Sequence, residues 1–290
     1  MNAFFFGLGY SSTEASTRML ASGQYGDIGG TVRTPEKAQR LREKGLSAHV
    51  FDGTGPGATL GPDLRKASHV VLSIAPGEAG DPALIHHRAD LDAAENLEWL
   101  CYYSTVGVYG DFGGAWIDEK APLVPRNDRS DRRVLAEQAW RDYADERGVK
   151  LAILRLAGIY GPGRSTFDKL ADGSARRVIK PGQVFNRIHV EDIGRVTALA
   201  ADALLDGTFN MADDEPAPPQ DLVTYAAGLM GIEPPPEIPF ETAAFTPMQR
   251  SFYADNKRVS NAAIKRALGI ELLYPTYREG LAAIFEREQT

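Results

Sequence analysis

Apolar and polar positions in the first half of the chain follow two alternating rhythms. Short apolar runs at 4–6, 28–34, 48–51, 70–74, 99–104 and 151–155 read as strands. Between them, 12–22, 35–44, 82–94 and 130–147 carry helical patterning, with Gly45 closing the second helix and Gly148 the last. In 130–147 the spacing of Leu135, Ala139 and Tyr143 supplies the expected apolar stripe. Strands alternating with helices predict βαβ crossovers, and with them a parallel sheet covered on both faces. The fold class is therefore α/β, a Rossmann-type doubly wound parallel sheet with a smaller C-terminal α/β substrate domain.

After Tyr160 the composition shifts. Gly161-Pro162-Gly163 interrupts regular structure, and prolines cluster at 216–219 and 234–239. The expected division is a dinucleotide-binding domain at 1–160 and a substrate-binding region at 161–290. Residues from about 186 to 205 return to the main sheet, the helix beginning near 190. A length of 290 residues with 43% hydrophobic positions suits one large core or two coupled ones.

Charge and cysteine content narrow the partners. The net charge of −7 argues against nucleic acid, which needs a concentrated basic surface; Arg132 and Arg133 are only a local pair. Cys101 is the sole cysteine, which suits a reducing, cytoplasmic setting and excludes a multi-cysteine zinc site. The adjacent His86 and His87 read as a solvated helix start, and no metal is expected. No basic leader precedes 4–6, and no apolar run approaches the roughly 20 residues that span a bilayer.

Gly7-Leu8-Gly9-Tyr10-Ser11-Ser12 follows the first strand and opens the first helix. Two glycines let the backbone turn tightly and approach a pyrophosphate, whose charge would meet free amides at the helix N-terminus. Ser12 takes the third small position of the G-x-G-x-x-G pattern. The second strand ends in Thr31-Val32-Arg33-Thr34, without the carboxylate that holds the ribose hydroxyls of NAD; Asp27 is at its other end. Arg33 suits a 2′-phosphate, so NADP(H) is favoured over NAD(H). Asp52 after the third strand and Ala75-Pro76 after the fourth are candidates for the adenosine half, and fit equally as turn residues.

The fifth strand leads into Ser104-Thr105-Val106-Gly107-Val108-Tyr109-Gly110. This resembles the S-S-x-x-V-Y-G segment of the extended short-chain dehydrogenases/reductases, which include nucleotide-sugar epimerases and dehydratases. Leu154-Arg155 through Tyr160-Gly161-Pro162-Gly163-Arg164 and Arg187-Ile188-His189-Val190-Glu191-Asp192 resemble later segments of that family, in the same order. The late strand and turn at 209–214 also match. The resemblance implies hydride transfer at a nicotinamide, a Tyr that exchanges a proton, a Lys four residues on, and a Ser or Thr on the substrate oxygen. Thr105 matches the hydroxyl position, with Ser104 as its alternative. Glu137 matches a Glu four residues beyond the Lys, which puts Arg133 at the Lys position and Arg129 at the Tyr position.

Arg133 can keep the cationic and ribose-binding role, but Arg129 cannot exchange a proton near neutral pH and acts at most as an electrostatic clamp. The chain thus resembles an atypical epimerase/dehydratase-like member without Tyr-x-x-x-Lys. Tyr109 and Tyr160 are the candidate replacement acids, each against a packing role. Tyr160, Arg164 and Arg187 are candidate substrate-binding residues, the arginines for an anionic group. Asp111, Asp118 and Glu119 read as solvated, and His189 and Asp192 as structural. Two functions stay open: an NAD(P)-dependent oxidoreductase or epimerase/dehydratase-like enzyme on a small, sugar-derived or acidic substrate, and a non-catalytic NADP(H) sensor or scaffold. A homodimer follows only by analogy, since family members often pair through a helix like 130–147.

Overall fold

The computed structural model describes residues 1–289 and divides into two compact units. The first comprises 1–108, 125–155 and 193–209, and the second 109–124, 156–192 and the chain from 210 onward.

The main sheet has seven strands: β1 (Asn2–Phe6), β2 (Asp27–Val32), β3 (Ser47–Val50), β4 (His69–Leu72), β5 (Trp99–Thr105), β6 (Lys150–Leu156) and β7 (Gly207–Met211). Their order is β7-β6-β5-β4-β1-β2-β3. The β1–β2, β2–β3, β1–β4 and β4–β5 pairings are parallel, with Phe4 opposite Gly29 on one side and Val70 on the other. β1 and β4 are buried on both faces, which accounts for their unbroken apolar sequences. The order reverses beside β1, so the crevice at its C-terminal end is where such sheets receive ligands.

The main helices that alternate with these strands are α1 (Tyr10–Ala21), α2 (Pro35–Arg42), α3 (Pro82–Asp92), α4 (Asp128–Arg147) and α5 (Val190–Asp202). Local chemistry sets their ends. Thr34 caps α2 by accepting from the Lys37 N–H at 3.3 Å, and Pro35 supplies the first helical φ. Asn127 caps α4 by accepting from the Ser130 N–H, and Gly148 ends it at φ +66°, a left-handed conformation natural to glycine.

Two expectations need correction. In α3 the backbone leaves helical geometry at His87, whose buried ring accepts from the Gly57 N–H and contacts Asp90 at 3.0 Å. His87 therefore pins the 53–62 loop rather than starting a solvated helix. In α4 the inward face is Ala136, Glu137, Trp140, Tyr143 and Ala144, whereas Leu135 is 68% exposed. The stripe is rotated because Trp140 brings more apolar area than Leu135, and because Glu137 has buried partners.

Those partners come from two strands of the same unit. Glu137, with no solvent exposure, accepts from Ser104 Oγ at 2.6 Å and from Arg155 through both Nε (3.0 Å) and Nη2 (2.7 Å). Arg141 adds a bond at 3.2 Å. One carboxylate thus locks α4 to the end of β5 and to β6.

In the second unit, three two-stranded parallel ribbons pair Gly158–Tyr160 with Arg187–His189, Arg177–Ile179 with Glu237–Pro239, and Trp116–Ile117 with Arg258–Val259. Helices Pro219–Met230 and Tyr277–Glu288 pack Leu222, Ala226, Leu281 and Ile284 against Tyr160 and Phe167.

Glu137→Ala should lower unfolding stability by about 3–5 kcal/mol, because the buried Arg155 loses the carboxylate that neutralises it. Leu135→Ala should stay within about 0.5 kcal/mol. Urea unfolding followed by circular dichroism measures both; equal losses would refute the rotated face.

Candidate functional site

The turn after β1 is held from both neighbouring strands. The Gly7 N–H donates to Thr31 Oγ1 (2.8 Å) and the Leu8 N–H to the Thr31 carbonyl (2.7 Å). Ser73 Oγ donates to the Gly7 carbonyl at 2.7 Å. Gly7 stands at φ +98°, and a β-carbon there would lie 2.8 Å from Ser73 Oγ and 2.9 Å from Ile74 Cγ2, so glycine is required. A β-carbon on Gly30 would likewise lie 2.8 Å from Leu8 Cγ, so this β2 glycine makes room for the turn.

Gly9 serves the opposite purpose. It caps α1 without a side-chain bond, the first turn carries no acid, and a β-carbon on it would meet nothing within 4 Å. The backbone is bare where α1 begins, and its amides and dipole favour an anion. Ser12 Oγ is buried with no hydrogen-bond partner among the described residues. An open glycine face, a helix start free of carboxylates and an orphaned hydroxyl together fit the pyrophosphate of a dinucleotide. Tyr10 is exposed and Ser11 buried at the start of the same helix.

At the end of β2, Arg33 is exposed and has no partner among the described residues. Lys37, one helical turn on, donates from Nζ to the Leu8 carbonyl at 2.8 Å. The sequence reading missed Lys37; its only signal was the four-residue spacing from Arg33. Asp52 is exposed and accepts from the N–H and hydroxyl of Thr54, which hold its carboxyl below the usual range. Ala75 is exposed and Pro76 half-buried in the turn after β4.

The end of β5 separates the two hydroxyl candidates. Ser104 is buried and bound to Glu137, which removes it from substrate chemistry. Thr105 is half-buried, with Oγ1 accepting from the Gly107 N–H at 3.1 Å. Ser130, absent from the sequence reading, brings its Oγ to 3.0 Å from the position of a β-carbon on Gly107, where Thr105 Oγ1 stands at 3.4 Å. Arg133 donates to the Tyr103 carbonyl (2.6 Å) and the Tyr102 hydroxyl (3.1 Å), with its guanidinium over the Tyr102 ring. Arg129 is exposed in the first turn of α4, with no partner among the described residues.

In the second unit several candidates are engaged in packing. Tyr109 is fully buried and donates to Asn210 Oδ1 at 2.7 Å. Tyr160 lies in the apolar cluster, its phenol pushed up by burial. Arg187 is buried and donates to the Phe185 and Ala217 carbonyls, each at 3.0 Å. These contacts argue against Tyr109 and Tyr160 as proton donors and against Arg187 as an open anion clamp. Arg164 stays exposed on its turn. Asp118 is exposed, as expected, and accepts from the Lys120 N–H, whereas the half-buried Asp111 and Glu119 accept from the N–H groups of Asn256 and Asn210. Asp192 accepts from Leu273 and Tyr274 N–H groups, a structural role.

Asp213 lies in the 209–214 segment that matches the family but was not singled out for any role. It is 1% exposed, and neither carboxyl oxygen has a hydrogen-bond partner among the described residues. Burial pushes its pKa up to about 8, outweighing the pull of Arg187.

Comparison with known proteins finds relatives of this chain and of its fold. Residues 85–212 match the model of the NAD dependent epimerase/dehydratase family. A solved structure of a functionally unknown conserved protein from Silicibacter pomeroyi DSS is 43% identical, with 100% of this chain and 99% of that one covered at a TM-score of 0.88. Protein YeeZ of Escherichia coli (strain K12) is 27% identical over 242 residues, covering 79% of this chain and 84% of that protein. UDP-glucuronic acid 4-epimerase from Bacillus cereus, solved in complex with NAD, shares the fold at a TM-score of 0.76 and 15% identity, covering 100% of this chain and 99% of that one.

Asp213 makes a pH prediction. Its folded pKa of about 8 lies above the ordinary 3.8, so between those values the folded chain holds a proton that the unfolded chain releases. Stability therefore falls as pH rises from about 4 to 8 and levels off above. Asp213→Asn should abolish this contribution, its Tm advantage over the wild type growing to several degrees by pH 8. Thermal scans across pH 4–9 measure it, and an advantage that stays constant with pH would refute it.

Proposed function

We propose that this chain, which matches the NAD dependent epimerase/dehydratase family over residues 85–212, is an atypical member of the extended short-chain dehydrogenase/reductase superfamily that binds NADP(H) and acts as an oxidoreductase or epimerase/dehydratase-like enzyme on a small, sugar-derived or acidic substrate. The observation that carries this reading is the bare backbone over Gly9, next to a β2 end that offers Arg33 and no carboxylate. The NAD bound to the Bacillus cereus epimerase supports a nicotinamide dinucleotide here, and Arg33 argues for the phosphorylated form.

When bound, the nicotinamide would exchange hydride with a substrate carbon. The Gly7–Gly9 turn and the start of α1 would hold the pyrophosphate, and Arg133, counted from Glu137 to the place of the family's Lys, would take its role at the ribose. Thr105 Oγ1 hydrogen-bonds the substrate oxygen. Arg129 would stabilise negative charge on that oxygen but exchanges no proton, so the proton that accompanies hydride transfer would come from, or go to, water. The buried Cys101 suits a reducing, cytoplasmic setting, and Leu135 on α4 suits pairing of two copies through that helix.

A second reading, a non-catalytic NADP(H) sensor or scaffold, is favoured by one observation. The Ser104 and Tyr109 hydroxyls are committed to buried carboxylate and amide partners, and the Tyr160 phenol is buried in the apolar cluster.

Titration with NADPH and NADH, followed by nicotinamide fluorescence, tests the cofactor. NADPH should bind about tenfold tighter or more, a difference of about 1.4 kcal/mol, and Arg33→Ala should erase most of that gap. If neither nucleotide binds below millimolar concentration, both readings fail. With NADPH binding established, a panel of carbonyl compounds and nucleotide sugars separates them. Turnover that Thr105→Ala abolishes, with NADPH affinity kept, supports the enzyme; no turnover across the panel supports the sensor.

A further inference from the structure

We propose that Lys37 is the second cation of the 2′-phosphate site and the residue that sets cofactor specificity; the inference rests on the NADP(H) reading above. Leu8 is the middle residue of the glycine turn. Its N–H donates to the Thr31 carbonyl at 2.7 Å, which lays its peptide against the end of β2. On the other side of that peptide, the Leu8 carbonyl accepts from Lys37 Nζ at 2.8 Å. Arg33 follows the last residue of β2. Both cations therefore border the crevice between the glycine turn and the start of α2, where the adenosine ribose lies in sheets of this kind.

The donor count favours a phosphate over a ribose diol. An ammonium has three N–H donors, and Lys37 uses one on Leu8. Arg33 has all of its donors available. A ribose diol is held by a carboxylate that accepts from its hydroxyls, and the end of β2 provides none. Glu36 is the one acid in the first turn of α2, and its carboxyl is held below the usual range by its own backbone N–H and the Thr34 hydroxyl. A phosphate monoester carries −1.5 to −2 charges near neutral pH and matches two cations.

The Leu8 bond also explains why a lysine serves here. It fixes a half-buried side chain before any ligand arrives, so little rotamer freedom remains to be lost on binding. The turn itself is held by Thr31 and Ser73, so the Leu8 carbonyl serves to position the ammonium at the edge of the crevice.

The experiment is fluorescence titration of NADPH and NADH into wild type, Lys37→Met, Lys37→Arg and Arg33→Ala, repeated at several salt concentrations. Lys37→Met should weaken NADPH about tenfold or more, leave NADH within about twofold, and flatten the salt dependence of NADPH binding. Lys37→Arg should recover most of the affinity. Equal loss of NADPH and NADH in Lys37→Met, with circular dichroism unchanged, would mean that the lysine serves the turn alone, and overturns the inference. So would unchanged NADPH binding. A wild type that prefers NADH, or binds neither nucleotide, sinks the NADP(H) reading itself and this inference with it. Wild-type preference for NADPH lost in Arg33→Ala but kept in Lys37→Met sinks only the role of Lys37.

Discussion

The carboxylate of Glu137 is the tie on which the first unit depends. It has no solvent exposure, accepts two bonds from the nearly buried Arg155, and takes a third from Ser104 and a fourth from Arg141. Removing two charges from water costs several kcal/mol per ion, so the arrangement holds only because every carboxylate oxygen is satisfied. Its consequence is alignment. With α4 fixed to β5 and β6, Arg133 reaches the Tyr103 carbonyl, Ser130 approaches Gly107, and Thr105 stands at the strand end with its hydroxyl on the following turn.

The same tie decides which hydroxyl serves the site. Ser104 and Thr105 are adjacent, and their side chains point to opposite faces of β5. Glu137 lies on the Ser104 side and captures it. Thr105 remains on the other, and the chemistry proposed here falls to it.

The glycine turn is a second constraint with its own logic. Thr31 and Ser73 clamp Gly7 from β2 and β4, and Gly30 gives Leu8 room, so the turn is shaped before any ligand binds. Gly9 then leaves its face open. Lys37 is anchored on the Leu8 carbonyl and adds a positive charge at the edge where Arg33 already stands. The second unit shows the opposite economy: Tyr109, Tyr160 and Arg187, which look chemically able in a list of residues, serve its packing.

Local rules were enough for the sequence alone to determine the strand–helix alternation, the parallel α/β class, the glycine turn and the missing carboxylate at the end of β2. Each is a matter of spacing or residue type within a few positions. Counting from Glu137 also gave the expectation that Arg129 and Arg133 take the places of the family's Tyr and Lys. Tertiary structure decided the rest, because partners come from far along the chain. Leu135 and Trp140 share one helix, and which of them turns inward depends on β5, β6 and Arg155. The burial of His87 depends on Gly57, thirty residues away. Asp213 reads as an ordinary turn acid until burial strips its carboxyl of water, and Lys37 as a surface lysine until the fold brings Leu8 within reach.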